Sequence, residues 1–338
     1  MLSHLRTALS PLLRSGYQEL IAGWTSEHLA DLPDIASAYV HYAAADRHLN
    51  RPLLALVGYG AHRSALGPEL YEQVGSLCFL PQVVRDFLAI HDDIVDGDTE
   101  KLGRPTLSAV LGNGAALFTA DLLLGLVGDL ITSSGAPLGV QNQLHTLVGR
   151  IQRRTQHGQL AELALQQQPP AQIPVEALLG VYADKAAAYC YVFPFEVGTV
   201  LAGTHQRLTP PVGPVLEAIG TASQIIDDLL GNCPGGTKDT PGEITHLRRT
   251  VLLAELARGL SGGSPLAHVI DGQFADPEQA DAIRAAFLTT GAARRTAEHA
   301  ARLAEQARSA LPGLPLGGAT AEYLNDLIDQ RITAHLRW

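Results

Sequence analysis

The 338-residue chain reads as all-α, a single helical domain over residues 1–338, on three observations. Apolar residues recur at mixed three- and four-residue spacing almost throughout, the period of an amphipathic helix. No segment of convincing length alternates with the period of two that a half-buried strand needs. No short repeat and no shift of composition separates the halves, so one core is expected rather than two. The composition, 46% hydrophobic and 17% charged, is that of a globular chain able to bury a substantial core.

Leucines and Trp24 at helical spacing predict a first helix over 4–30. A second is expected over 34–47, ending near Arg47-His48. Arg51-Pro52 opens a third, because proline is tolerated in a first turn. One or two helices over 66–97 lead into an acidic stretch. Leu102-Gly103-Arg104-Pro105-Thr106 is a break, since glycine and proline interrupt a helix. The strongly apolar run 106–132 predicts a central helix, and 136–167 a longer amphipathic one before the polar Gln166-Gln167-Gln168-Pro169-Pro170. Residues 174–203 predict an apolar helix rich in aromatics, kinked at Pro194. Residues 212–230, 244–260, 276–309 and 318–337 supply the remaining helices, with a Gly- and Pro-dense loop from Gly231 to Gly242.

The chemistry gathers at Asp92-Asp93-Ile94-Val95-Asp96, inside an apolar helix-forming run. On a helix the three carboxylates share one face, with Cβ atoms roughly 5–6 Å apart. Such like charges need a counter-ion on a core-facing helix. Oxygen donors of this kind suit Mg²⁺, which retains several waters and in turn suits a diphosphate. A second acidic pair, Asp227-Asp228, follows one turn after Gln224 at the end of another apolar helix, where the macrodipole disfavours anions. Two such clusters can clamp metal ions.

Composition excludes other classes. A formal net charge of −10 lacks the basic footprint of a nucleic-acid binder. Cys78, Cys190 and Cys233 show no zinc-ligand spacing, and their odd number argues against a disulfide framework. They read as free thiols in a reducing, cytoplasmic compartment. No signal-peptide core opens the chain. Asp121, Asp129 and glycines interrupt the most apolar stretches, so no transmembrane helix is expected.

Taken with their order and spacing, these motifs make the chain resemble the trans-isoprenyl diphosphate synthase family, farnesyl and geranylgeranyl diphosphate synthases among them. The resemblance rests on Asp92-Asp93-Ile94-Val95-Asp96 with Gly103-Arg104-Pro105-Thr106, on Gly158-Gln159, on Lys185, on Gln224 with Asp227-Asp228, on Lys238 with Glu243, and on Arg248-Arg249-Thr250. It implies a helical bundle of the isoprenoid synthase type with a central cavity, and a homodimer. It implies Mg²⁺-dependent ionisation of an allylic prenyl diphosphate. Condensation with isopentenyl diphosphate then gives a short-chain, C15–C20 product. On this resemblance Asp92, Asp93, Asp96, Asp227 and Asp228 hold metal. Lys185, Gln224 and the aspartates serve ionisation, and Lys101, Lys238 and Asp228 meet the allylic diphosphate. Phe87 and Leu88, about one turn before the first motif, limit product length.

The family holds isopentenyl diphosphate without metal, through a G-G-K-R-x-R-P segment and neighbouring groups. Here that segment reads Asp46-Arg47-His48-Leu49-Asn50-Arg51-Pro52. Arg51 and Pro52 match, His48 replaces the lysine, Arg85 stands at a His/Gln position, and Leu102 replaces an arginine. Losing one charge-assisted bond to phosphate weakens binding roughly ten- to hundredfold. An alternative therefore stands beside elongation: cyclisation, or prenyl transfer to an acceptor other than isopentenyl diphosphate, from the same allylic site.

Overall fold

The computed structural model describes every residue except 47, 102, 237–243 and 262. It is all-α as expected. Residue contacts divide it into two units, residues 1–150 with 192–210 and 315–323, and residues 151–191 with 211–314 and 324–338.

The first unit begins with α1 (Leu2–His28) and α2 (Pro33–Ala43). Then come α3 (Asn50–Tyr59), α4 (Glu69–Val74) and α5 (Leu80–Asp96). The second helix stops at Ala43, short of the expected Arg47-His48. Pro81 sits in the first turn of α5, and Gly97 ends the helix at φ 69°, where a side chain is strained. The break after it is a small hairpin, β1 (Glu100–Lys101) antiparallel to β2 (Arg104–Pro105). Strands of two residues are too short for any periodicity to reveal. Thr106 ties the hairpin down: its Oγ1 accepts from Ala109 N at 3.2 Å, capping the next helix, and donates to Asp98 O at 2.7 Å.

The apolar run 106–132 forms two helices, not one: α6 (Leu107–Leu111) and α7 (Asn113–Thr132), divided at Gly112 with φ 79°. Asp121 does not interrupt α7. A window of mean hydropathy 1.7 makes it, by length and composition alone, long and apolar enough to cross a membrane, and 44% of that window is buried. The face left uncovered carries Leu117, Phe118 and Leu122.

The long α8 (Leu138–Gln166) follows. The expected helix over 174–203 is α9 (Val175–Tyr182), a wider π-helical segment Ala183–Val192, and α10 (Phe193–Leu201). Pro194 lies in the first turn of α10, so the pitch changes ahead of it, where its missing N–H and ring would otherwise disturb an α-helix. Within the first unit α10 packs tightly on α3, because both carry glycine at the contact. A Cβ on Gly198 would lie 2.0 Å from Ala55 O, and one on Gly58 2.3 Å from Phe195 O.

α11 spans His205–Asn232, seven residues earlier than expected at its start. The last helices are α12 (Val251–Gly259), α13 (Pro265–Ile270), α14 (Pro277–Thr289), α15 (Ala292–Ala310) and α16 (Gly318–Arg331). The run 276–309 is thus divided at Gly291, φ 72°. In the second unit Gly158 lets α8 approach the π-helical segment, a Cβ there falling 2.9 Å from Lys185 N. Arg249, one of the motif residues, is 4% exposed, and its guanidinium donates to Gln168 O, Leu247 O and Gly272 O at 2.8–3.0 Å. Its work is to close buried backbone carbonyls. Thr250 beside it caps α12, accepting from Leu253 N.

Candidate active site

The last turn of α5 carries Asp92, Asp93 and Asp96 where the helix carbonyls already supply negative potential. They are not equivalent. Val83, Asp86, Ile90 and Asp93 follow one another at three- and four-residue spacing, and each is at most 1% exposed. Asp93 therefore continues the core stripe and points inward. Asp92 and Asp96, one turn apart, remain partly exposed. Lys101, brought back by the hairpin, bonds Asp93 Oδ1 and lies 3.9 Å from Asp92 Oδ2. Tyr42 Oη donates to Asp93 Oδ2 at 3.3 Å. Burial raises the Asp93 carboxyl above its ordinary pKa even though Lys101 acts in the opposite direction.

A polar cluster continues along α5. Asp86 is fully buried and accepts from Tyr17 Oη at 2.6 Å, Arg85 Nη1 at 3.0 Å and Gln82 Nε2 at 3.3 Å. Gln82 Nε2 also reaches Asp46 Oδ2 at 3.4 Å, as does Arg51 Nη1. The Asp46 carboxylate accepts from the His48 and Leu49 N–H groups at 3.2 Å. Burial opposes its charge, but Arg51, Arg85 and those N–H groups outweigh it and hold the carboxyl below its ordinary range. The structure thus brings Arg51 and Arg85 together, each beside a carboxylate, while the His48 side chain is exposed. Arg85 also faces the Tyr42 ring, 5.9 Å from its centroid. A cavity of about 850 Å³ opens here, walled by Tyr42, Arg85, Lys101, Arg104 and Leu107. Phe87 is 2% exposed, its ring 4.6 Å from that of His91, and Leu88 is 9% exposed.

In the second unit, Asp228 is 3% exposed. Gln224 Nε2 donates to its Oδ1 at 2.9 Å and Tyr182 Oη to its Oδ2. Tyr182 in turn accepts from Val251 N at 3.1 Å. Asp227 is 32% exposed and lies 3.6 Å from Arg331 Nη2. Lys185 pairs with Glu162. Lys238 and Glu243, assigned from sequence, lie outside the described residues.

The sequence reading did not weigh Asp46, Tyr42, Glu162 or Arg331. Asp46 was legible: an acid stands where the quoted segment has glycine. The other three act through contacts distant in sequence.

Among the described residues no three or more His, Cys, Asp or Glu side chains converge as a closed metal cage. The donors fit Mg²⁺ all the same, since that ion is ordinarily held by one or two carboxylates together with waters and substrate phosphates. In the first unit Asp92 and Asp96, and in the second unit Asp227, are partly exposed carboxylates of the kind that ion uses.

The chain is 26% identical over 319 residues to a geranylfarnesyl diphosphate synthase of Aeropyrum pernix, covering 92% of this chain and 98% of that one. It is 29% identical over 150 residues to a (2E,6E)-farnesyl diphosphate synthase of Mycobacterium tuberculosis, a match that spans 44% of this chain and only 40% of the relative's length. In three dimensions it resembles a geranylgeranyl pyrophosphate synthase of Corynebacterium glutamicum solved with isoprenyl diphosphate and magnesium. The TM-score is 0.84 at 21% identity, over 96% of this chain and 98% of that one. That likeness establishes the all-α isoprenoid synthase fold. The family model for polyprenyl synthetase matches residues 33–245, well over half the sequence, and the chain belongs to the polyprenyl synthetase family.

Proposed function

We propose that the chain is a Mg²⁺-dependent prenyltransferase that ionises an allylic prenyl diphosphate. The observation that carries this reading is the pair Asp92 and Asp96, partly exposed on one turn of α5 beside Lys101. Mg²⁺, when bound, stabilises the negative charge that gathers on the departing diphosphate. Asp92 and Asp96 hold it, with Asp227 as a third carboxylate of the same role. Asp93 fixes Lys101, and Asp228 with Gln224 stiffens the end of α11. Lys185, Lys101 and Lys238 are the cations assigned to the diphosphate. Breaking the C–O bond leaves an allylic cation, and the leaving group accepts the proton lost after capture.

Two readings of that capture remain, each with its own support. The relatives, a farnesyl and a geranylfarnesyl diphosphate synthase, support chain elongation with isopentenyl diphosphate; of their product lengths, we assign this chain the shorter, C15–C20 range. The buried position of Phe87 on α5 fits a limit on chain length, so Phe87→Ala is expected to lengthen the product by at least one isoprene unit, read by mass spectrometry. The second reading is capture by an uncharged acceptor or by the substrate's own double bond. It is favoured by Arg51 and Arg85, which lie beside Asp46 and Asp86.

The deciding experiment incubates purified protein and Mg²⁺ with dimethylallyl, geranyl, farnesyl or geranylgeranyl diphosphate, with and without isopentenyl diphosphate. Isopentenyl-dependent elongation supports the first reading. A hydrocarbon or alcohol formed without it supports the second. Release of no diphosphate under any condition refutes both.

We further propose a homodimer joined through the uncovered face of α7, whose Phe118 is 69% exposed. Phe118→Asp is expected to halve the mass measured by analytical ultracentrifugation. Wild-type protein that floats with liposomes instead would make that face a membrane contact.

A further inference from the structure

The second acidic pair is held in two different ways. Asp228 is buried, and its oxygens accept hydrogen bonds from Gln224 and Tyr182, which are fixed by the surrounding helices. Asp227 is turned toward solvent, 32% exposed, and faces Arg331, the last residue of α16, 35% exposed. The Nη2–Oδ2 separation of 3.6 Å is beyond hydrogen-bond range. The contact between these two groups is one of charge, while Arg331 is also hydrogen-bonded to Tyr191, and neither group is sealed from water.

We infer that Arg331 is the resident counter-ion of Asp227, a positioning residue that steadies the carboxylate before a divalent cation binds and that the cation displaces. The inference rests on the assignment of Asp227 to metal made above. Asp227 lies in the penultimate turn of α11, near the end where the helix carbonyls add negative potential. A carboxylate in that field needs a cation nearby, and arginine keeps its charge at any working pH. A guanidinium and a divalent ion repel one another when they share one carboxylate. Occupation by one therefore weakens occupation by the other. Asp228 is buried and hydrogen-bonded by Gln224 and Tyr182, so the exchange is assigned to the more exposed Asp227. Arg331 thus sets how much free metal the second acidic pair requires, and metal binding leaves its guanidinium on Tyr191 alone of these two partners.

The test is Mn²⁺ binding to the full chain without substrate, followed by the electron paramagnetic resonance signal of the free aquo ion. Arg331→Met is expected to tighten Mn²⁺ binding about tenfold, while Arg331→Lys stays within about threefold of wild type. Arg331→Gln, which keeps a polar side chain, carries the same expectation as Arg331→Met and serves if that variant does not fold. In an Asp227→Asn background, Arg331→Met is expected to change nothing. Equal or weaker Mn²⁺ binding on loss of the guanidinium overturns the inference. So does tighter binding that persists in the Asp227→Asn background, because the charge would then act elsewhere. Failure of the proposed function reads differently: no allylic diphosphate releases its leaving group, whatever the Mn²⁺ affinities.

Discussion

Asp92→Asn is expected to slow diphosphate release from an allylic substrate by on the order of 10²–10³, the usual effect of removing one group that stabilises transition-state charge. Thermal stability should hardly change, because the Asp92 side chain is 25% exposed and Lys101 Nζ lies 3.9 Å from it, beyond hydrogen-bond range. Asp93→Asn is the informative comparison. Asp93 is 1% exposed and holds Lys101 and the Tyr42 hydroxyl. Its replacement should lower activity and stability together, the latter by roughly 1–3 kcal/mol for a disrupted buried polar pair. Diphosphate release and urea unfolding, measured on both variants, check this. Equal activity losses with equal stability losses would show that the inward turn of Asp93 has no bearing on its role.

That inward turn shows how far the sequence can be read. Asp92, Asp93 and Asp96 were expected to share a face, and i,i+3 and i,i+4 spacing permits it. The finer position depends on which stripe of α5 is buried, and the stripe Val83–Asp86–Ile90–Asp93 contains two aspartates. A hydrophobic pattern does not assign carboxylates to a core stripe; their partners do, and Tyr17, Tyr42 and Lys101 come from α1, α2 and the hairpin. The helices themselves were legible because their apolar spacing is local. Their boundaries at Gly112 and Gly291 were less so, since a lone glycine is tolerated inside many helices. Of the π-helical segment Ala183–Val192 the sequence signalled only the disturbance at Pro194 that follows it. α8 approaches the segment closely at Gly158, a tertiary contact that no local pattern encodes.

Asp46→Asn is expected to separate the two readings of cation capture, because they predict opposite signs. Asp46 stays ionised at neutral pH, its carboxyl held low by Arg51, Arg85 and two backbone N–H groups despite burial. A second diphosphate placed against Arg51 and Arg85 would meet this carboxylate. Leu102 offers it no cation. If the acceptor is uncharged, wild-type protein incorporates no labelled isopentenyl diphosphate, and Asp46→Asn relieves the repulsion. Removing one like charge beside a phosphate strengthens binding by roughly ten- to hundredfold, the scale of one charge-assisted contact. Incorporation should then appear at high isopentenyl diphosphate concentration. If isopentenyl diphosphate is the natural acceptor, Asp46 instead aims Arg51 at it. Wild type then incorporates label, and Asp46→Asn raises KM while kcat changes little. Asparagine keeps an oxygen for the His48 and Leu49 N–H groups, so the turn before α3 is retained and the change acts through charge. Incorporation gained by Asp46→Asn points to an acid that guards the pocket, and a raised KM to an acid that positions its arginine.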